Sequence, residues 1–164
     1  MNAYATQGWE NFFVAEAGAA AALAGLLFVA ISINLTRIVS FPGLPGRAGE
    51  AILILFFVLT IASLGLVPGQ SSALFGAEIL GLSVFGSLCM LILQIRDGRK
   101  PEQKRYWIVT RVATSQLATL PLIVAGISLL SRAGGGLYWL VLGVILSFAA
   151  ALLDAWVLMV EILR

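Results

Sequence analysis

The sequence predicts an all-α integral membrane protein, a single domain over residues 1–164 built as a bundle of five transmembrane helices. Of its 164 residues, 60% are hydrophobic and 11% are charged, whereas soluble domains are about 45–50% apolar and about 25% charged. Five stretches are mostly apolar and have about the 20 residues that a helix needs to cross a bilayer. The alternating polar and apolar pattern of membrane β-barrel strands is missing from these stretches.

Short segments rich in turn-forming residues separate the five predicted spans. They contain Phe41–Gly46, Pro68–Ser72 and Gly134–Gly136, while the polar segment Arg96–Gln103 separates the third span from the fourth. None of these segments is long enough to form a soluble domain. The predicted spans, in chain order, are Phe12–Leu35, Ala48–Val67, Ala73–Ile95, Ile108–Leu130 and Leu137–Ile162.

The positions of the lysines and arginines predict the orientation in the membrane. Cytoplasmic segments of membrane proteins are enriched in these residues. With five spans, nine of the ten Lys and Arg residues fall on the side of the C-terminus, and Arg132 alone falls on the other side. We therefore predict that the N-terminus lies outside and the C-terminus lies in the cytoplasm. The basic loop Arg96–Arg105 either only supplies this signal and attracts anionic lipid, or it also docks a partner membrane protein.

Four ionisable residues lie inside the predicted spans, where an unpaired charge is costly and often functional. Glu16 and Glu78 form a predicted outer pair of carboxylates, each about 6 Å in from one face at about 1.5 Å per residue. Arg111 and Asp154 lie at a similar depth from the inner face, and Asn34 joins them in an inner charged layer.

Arg111 and Asp154 are predicted to form an ion pair, because their depths match and each charge needs a partner. The pair would serve either as a structural clamp between neighbouring spans or as a gate that coordinates an ion. The two outer carboxylates have no evident basic partner at their depth. They would reach interfacial water, share a proton, or form a ring that attracts cations at the mouth of an oligomer.

Stripes of small residues predict where helices pack closely, because close backbone approach drives association in lipid. We predict that the first and fifth spans are central and that the bulky second span faces lipid most. The predicted packing residues are Gly18, Ala22, Gly25, Gly143, Ser147 and Ala151. The fourth span is the most polar, with Gln116 and Thr119, and Pro121 is expected to kink it.

The composition excludes several kinds of chemistry. There is no histidine and there is one cysteine, so a Ser-His-Asp triad, a histidine–zinc site and a CxxC pair are impossible. A single buried aspartate is too few for intramembrane aspartyl catalysis. We expect no enzymatic activity, no cofactor, no metal site and no nucleic-acid partner.

Several segments resemble a known family. They are Trp9–Leu35 (WENFFVAEAGAAAALAGLLFVAISINL), Phe41–Glu50 (FPGLPGRAGE), Gly134–Val144 (GGGLYWLVLGV) and Asp154–Arg164 (DAWVLMVEILR). Together they are similar to small multi-pass bacterial inner-membrane proteins, some of which are labelled as modulators of a membrane-anchored AAA protease. The resemblance covers most of the chain and implies a location in the bacterial plasma membrane.

Three functions remain open from the sequence. The first is a homo-oligomeric, channel-like protein that passes an ion or small solute, with the first span lining the pore or seam and Glu16 at its mouth. The second is an accessory or regulatory protein that binds another membrane complex through the Arg96–Arg105 loop. The third is a proton-coupled carrier that uses Glu16 or Glu78.

Overall fold

The computed structural model describes residues 3–41, 43–98 and 105–163, which contain six α-helices and no β-strand. Five of the helices are long and apolar enough to cross a membrane. The predicted all-α bundle of five transmembrane helices is therefore confirmed. Each predicted span corresponds to one long helix, although the first and second spans run two residues past the ends of α1 and α3. The helices are α1 (Glu10–Ile33), α2 (Leu35–Ser40), α3 (Leu44–Gly65), α4 (Ser72–Gly98), α5 (Arg105–Ser131) and α6 (Leu137–Leu163).

The short helix α2 was not predicted from the sequence. The chain breaks at Asn34, whose backbone N–H donates to the carbonyls of Ala30 and Ile31 and closes α1. After α2, Gly43 adopts a left-handed φ of 92° immediately before α3, a conformation that a residue without a Cβ adopts at little cost. We call the end of the bundle that carries α2 the inner end, after the predicted orientation, and the other the outer end.

Helix α3 lies at the centre of the bundle, where it packs against α1, α4 and α6. In its most apolar 18-residue window 56% of the positions are buried, compared with 6% for α1. The prediction that the second span faces lipid most and the first is central was therefore wrong. Bulky side chains such as Leu55, Val58 and Ile61 fill the core. An evenly apolar helix fits a core as well as it fits lipid, so hydropathy does not distinguish the two.

The outer half of the bundle contains a continuous apolar core. Phe13 of α1 and Phe75 of α4 are fully buried and meet edge to face, with ring centroids 5.6 Å apart. Ile79, Leu129 and Leu137 belong to the same core. This core lies between the inner half of the bundle and its outer end.

Helices α4 and α5 share the most extensive contact in the bundle, and two glycines allow it. A Cβ added at Gly126 of α5 would lie 2.8 Å from the backbone nitrogen of Leu80 and 3.0 Å from the carbonyl oxygen of Gly76. The two backbones therefore touch, as small residues permit in membrane helices. Pro121 lies inside α5, and the helix continues on both sides of it.

Candidate functional site

Five charged side chains gather near the inner end of the bundle, and we call them the charged cluster. Its members are Arg47 and Glu50 of α3, Asp97 of α4, Arg111 of α5 and Asp154 of α6. They come from four different helices. The charged cluster therefore joins all the helices of the bundle except α1 and α2.

The Glu50–Arg111 ion pair is the most deeply buried contact described within the charged cluster. Arg111 donates from Nη2 to Glu50 Oε1 at 2.6 Å and from Nε to Oε2 at 3.1 Å. The two side chains are 2% and 3% exposed. Two parallel N–H···O bonds of this kind are the strongest geometry for an arginine and a carboxylate.

Two further ion pairs join described residues of the charged cluster. Arg111 Nη1 also reaches Asp97 Oδ2 at 3.4 Å, and Arg47 Nη1 reaches Asp154 Oδ1 at 3.2 Å. The expected ion pair between Arg111 and Asp154 is therefore not the one that forms. Both residues belong to the charged cluster, but Arg111 is paired with Glu50 and Asp97, and Asp154 is paired with Arg47. Counting residues from the predicted span ends placed Arg111 and Asp154 at the correct depth. It did not show which side chains are close enough to pair.

Local sequence explains why α3 contributes so much to this site. Arg47 and Glu50 are three residues apart in the first two turns of α3, so they lie on one face of the helix. Gly46 precedes them, and a Cβ added there would collide with the Asp97 carboxylate and lie 3.1 Å from Arg111 Nη2. The absence of a side chain at Gly46 makes room for the ion pair between α4 and α5.

Polar side chains continue from the charged cluster into the membrane between α4 and α5, and we call them the polar column. Gln94 Nε2 donates to Ser115 Oγ at 3.0 Å, and Ser87 Oγ donates to Gln116 Oε1 at 2.8 Å. Ser83 lies one turn further along α4, and Thr119 lies one turn further along α5. The column consists of Gln94, Ser115, Ser87, Gln116, Ser83 and Thr119.

Three buried atoms of the polar column have no hydrogen-bond partner among the described residues. They are Gln94 Oε1, Gln116 Nε2 and Ser83 Oγ. Ser83 and Thr119 also line a cavity of about 10 Å³, together with Ser147 of α6. Such a cavity is close to the smallest that holds a water molecule, and buried water commonly satisfies groups of this kind.

The predicted outer carboxylates do not form a pair. Glu78 accepts a hydrogen bond from the side-chain nitrogen of Gln70. Glu16 is half-buried on α1, and its carboxylate makes no ion pair with any residue that the structure describes. Asn34 donates from Nδ2 to the Ala30 carbonyl at 2.9 Å, at the break between α1 and α2.

The two predicted stripes of small residues have opposite surroundings. Gly143, Ser147 and Ala151 of α6 are buried, and a Cβ at Gly143 would collide with the side chain of Leu122. The stripe on α1 faces away from the bundle. Its members Gly18, Ala22 and Gly25 are exposed, and a Cβ at either glycine would meet no described atom within 4 Å.

Sequence reasoning missed most of the charged cluster and part of the polar column. Glu50 is the third residue of the predicted second span, so it belonged with the intramembrane charges from the start. Arg47 and Asp97 fall outside the predicted spans, and Gln94 and Ser115 are not among the predicted site residues. The available signal was depth, because Glu50 is about as far from the inner face as Arg111.

The basic loop lies mostly outside the described residues, since 99–104 are not among them. Arg96 and Asp97 belong to the last turns of α4. No family model, curated protein or solved structure matches the chain. The function is therefore inferred from the geometry of the charged cluster and the polar column.

Proposed function

We propose that the protein is a homo-oligomeric, channel-like membrane protein that passes a proton or small cation, and that the path runs through the interior of each subunit. One observation carries the proposal. The polar column begins at the charged cluster and holds three buried polar atoms that have no hydrogen-bond partner among the described residues.

Polar groups inside a membrane are costly unless they are satisfied. The unpaired atoms at Gln94, Gln116 and Ser83 follow one another along the α4–α5 contact, so water would satisfy them in sequence. A chain of water and hydroxyl groups transfers protons, and intramembrane acids and bases commonly mark such paths. The charged cluster would supply the titratable carboxylates at the inner end.

The described structure corresponds to a closed form of this path. Beyond Ser83 the interior is filled by the apolar core, in which Phe75, Ile79 and Leu129 are almost fully buried. An apolar constriction blocks ions by excluding water. Because Phe75 and Ile79 belong to α4 and Leu129 to α5, passage requires the outer halves of these two helices to move apart, while the charged cluster would hold their inner ends together.

The exposed stripe of small residues on α1 supports the oligomeric part of the proposal. The exposed stripe Gly18–Ala22–Gly25 offers close backbone approach to a second copy, as small residues do in lipid. Glu16 lies on the other side of α1, towards the bundle. A seam built on this stripe would therefore not place Glu16 at a central pore, which favours a path inside each subunit. The resemblance of the sequence to bacterial inner-membrane proteins supports a location in the bacterial plasma membrane.

Proton flux into liposomes tests the proposal. We expect purified protein to acidify the lumen faster than empty liposomes do when a pH gradient and a voltage are applied. Ser87→Ala and Gln116→Leu should reduce this flux, because each removes a group of the polar column. Ser63→Ala is the matched control, since Ser63 bonds only to its own helix at the Leu59 carbonyl and should leave the flux unchanged. Flux equal to that of empty liposomes at every pH and voltage would refute the channel.

An accessory role is the second candidate, and the exposure of α1 favours it. A helix with 6% of its most apolar window buried leaves most of its surface for another membrane protein. This function predicts a monomer or dimer in detergent, no flux, and a partner that co-purifies. Neutral substitutions in the Arg96–Arg105 loop would then release the partner without changing the oligomeric state.

A further inference from the structure

An apolar groove of about 510 Å³ lies between α1, α2 and α6 in the inner half of the bundle. Its volume falls in the range of about 300–1,000 Å³ that is typical of ligand sites. Leu23 and Leu27 of α1 form one wall, and Leu158 and Met159 of α6 form the other. The groove lies on a different side of α1 from the Gly18–Ala22–Gly25 stripe.

The packing of α1 explains why the groove exists. Helix α1 packs along α3 and touches α6 at few positions. Ala30, Ala151 and Ala155 line the groove, and their short side chains leave the space between the helices unfilled. Voids between packed side chains lose dispersion contacts. In a bilayer this groove is therefore expected to hold a hydrocarbon chain.

The α1–α2 segment at the inner end of the groove contains the polar residues Asn34 and Arg37. Asn34 and Ile38 are lining residues, and Arg37 lies between them in the sequence, on α2. The Arg37 side chain is exposed and makes no ion pair with another residue that the structure describes. The nearby cation Arg47 is engaged with Asp154. Arg37 is thus an exposed cation in the same chain segment as the lining residues Asn34 and Ile38.

We infer that the groove binds one acyl chain of an anionic phospholipid, with the phosphate of the headgroup at Arg37. The apolar walls match the acyl chain, and the guanidinium matches the phosphate in charge and in hydrogen-bond geometry. The lipid would fill the space between α1 and α6, which touch each other directly at few positions. This inference does not depend on the proposed ion path.

Lipid retention in nanodiscs tests the inference. The protein is reconstituted in equal amounts of phosphatidylglycerol and phosphatidylcholine, released, and analysed by native mass spectrometry. We expect wild-type protein to retain phosphatidylglycerol preferentially. Arg37→Gln should lower that preference about fivefold, the effect of one cation near an anionic headgroup. Arg132→Asn, which removes an exposed cation at the outer end, should leave it unchanged.

Filling the groove separates acyl-chain binding from simple attraction of charge. Ala30→Phe should reduce retention of both lipids, because the ring occupies the place of the chain. Ala21→Phe is the matched control, since Ala21 is exposed on α1 and does not line the groove. Equal retention in both variants would overturn the inference, as would displacement of the lipid by inorganic phosphate alone.

A phosphatidylglycerol that carries a diazirine on its acyl chain gives an independent readout. Photolysis should label the walls of the groove on α1 and α6, and Ala30→Phe should abolish this labelling. Label spread evenly over the exposed faces of the bundle would contradict a defined site. Disulfide formation between Ala30→Cys residues of two copies of the chain, in a Cys89→Ala background, would instead assign the groove to a subunit contact and would refute the lipid.

Discussion

Arg111 donates two hydrogen bonds to the Glu50 carboxylate, and both side chains are at most 3% exposed. The neighbouring Arg47–Asp154 pair differs, because its side chains are each 12% exposed and one 3.2 Å contact joins them. Removal of one partner from a buried pair leaves a charge with no solvent to stabilise it. Glu50 and Arg111 should therefore contribute more to the stability of the inner end than Arg47 and Asp154 do.

We predict that Arg111→Ala lowers the free energy of unfolding by about 3–5 kcal/mol, because the Glu50 carboxylate loses its main partner in a buried site. The double variant Glu50→Leu/Arg111→Met should recover most of this loss, since no buried charge of that pair remains. Unfolding in mixed detergent–SDS micelles measures both values.

Arg132→Asn provides the control for these variants. Arg132 is exposed and has a φ of 51°, a conformation that asparagine tolerates. The free energy of unfolding of the Arg132→Asn variant should differ from that of the wild-type protein by no more than about 0.5 kcal/mol. An equally small loss for Arg111→Ala would show that the buried pair contributes little to stability.

Helix packing in this bundle depends on where small residues point as well as on how they are spaced. The glycines at the α4–α5 contact touch the neighbouring backbone, whereas Gly18 and Gly25 of α1 meet no described atom within 4 Å. Glycine is therefore required for packing within the subunit at the α4–α5 contact, whereas the glycines of α1 are available for contact with another protein.

We predict that Gly126→Ala destabilises the bundle by about 1–3 kcal/mol, the cost typical of overpacking a tight core. The added methyl would press on the backbone of Leu80, which cannot move aside as a flexible side chain would. Gly25→Ala should leave the stability of the subunit unchanged or slightly raise it, because alanine favours helix more than glycine does. Micelle unfolding distinguishes the two, and equal losses would contradict the assigned packing.

The whole molecule is a bundle of α3–α6 with α1 attached along one side of α3. Its charged cluster binds the four central helices at the inner end, and its apolar core closes the outer half. This division leaves α1 as the helix with most surface available to lipid or to another protein. The orientation of the bundle in the membrane is still a prediction from the distribution of cations.

Cysteine labelling on intact cells measures that orientation. In a Cys89→Ala background, Ser71→Cys should react with a membrane-impermeant maleimide, because Ser71 is exposed at the predicted outer end. Arg96→Cys should react only after permeabilisation, since positively charged segments remain in the cytoplasm. The opposite pattern would invert the bundle and place the charged cluster on the outside.

The fold class, the number of spans and their limits to within a few residues follow from the sequence alone, because each depends on local hydropathy and turn-forming residues. The sequence also indicated the depth of the charged layer, since depth follows from counting residues along a helix. Only the tertiary structure decided that α3 is central, that Arg111 pairs with Glu50, and that the α1 stripe faces outward. Those features depend on how helices rotate against one another, and five evenly apolar helices carry little amphipathic signal to set that rotation.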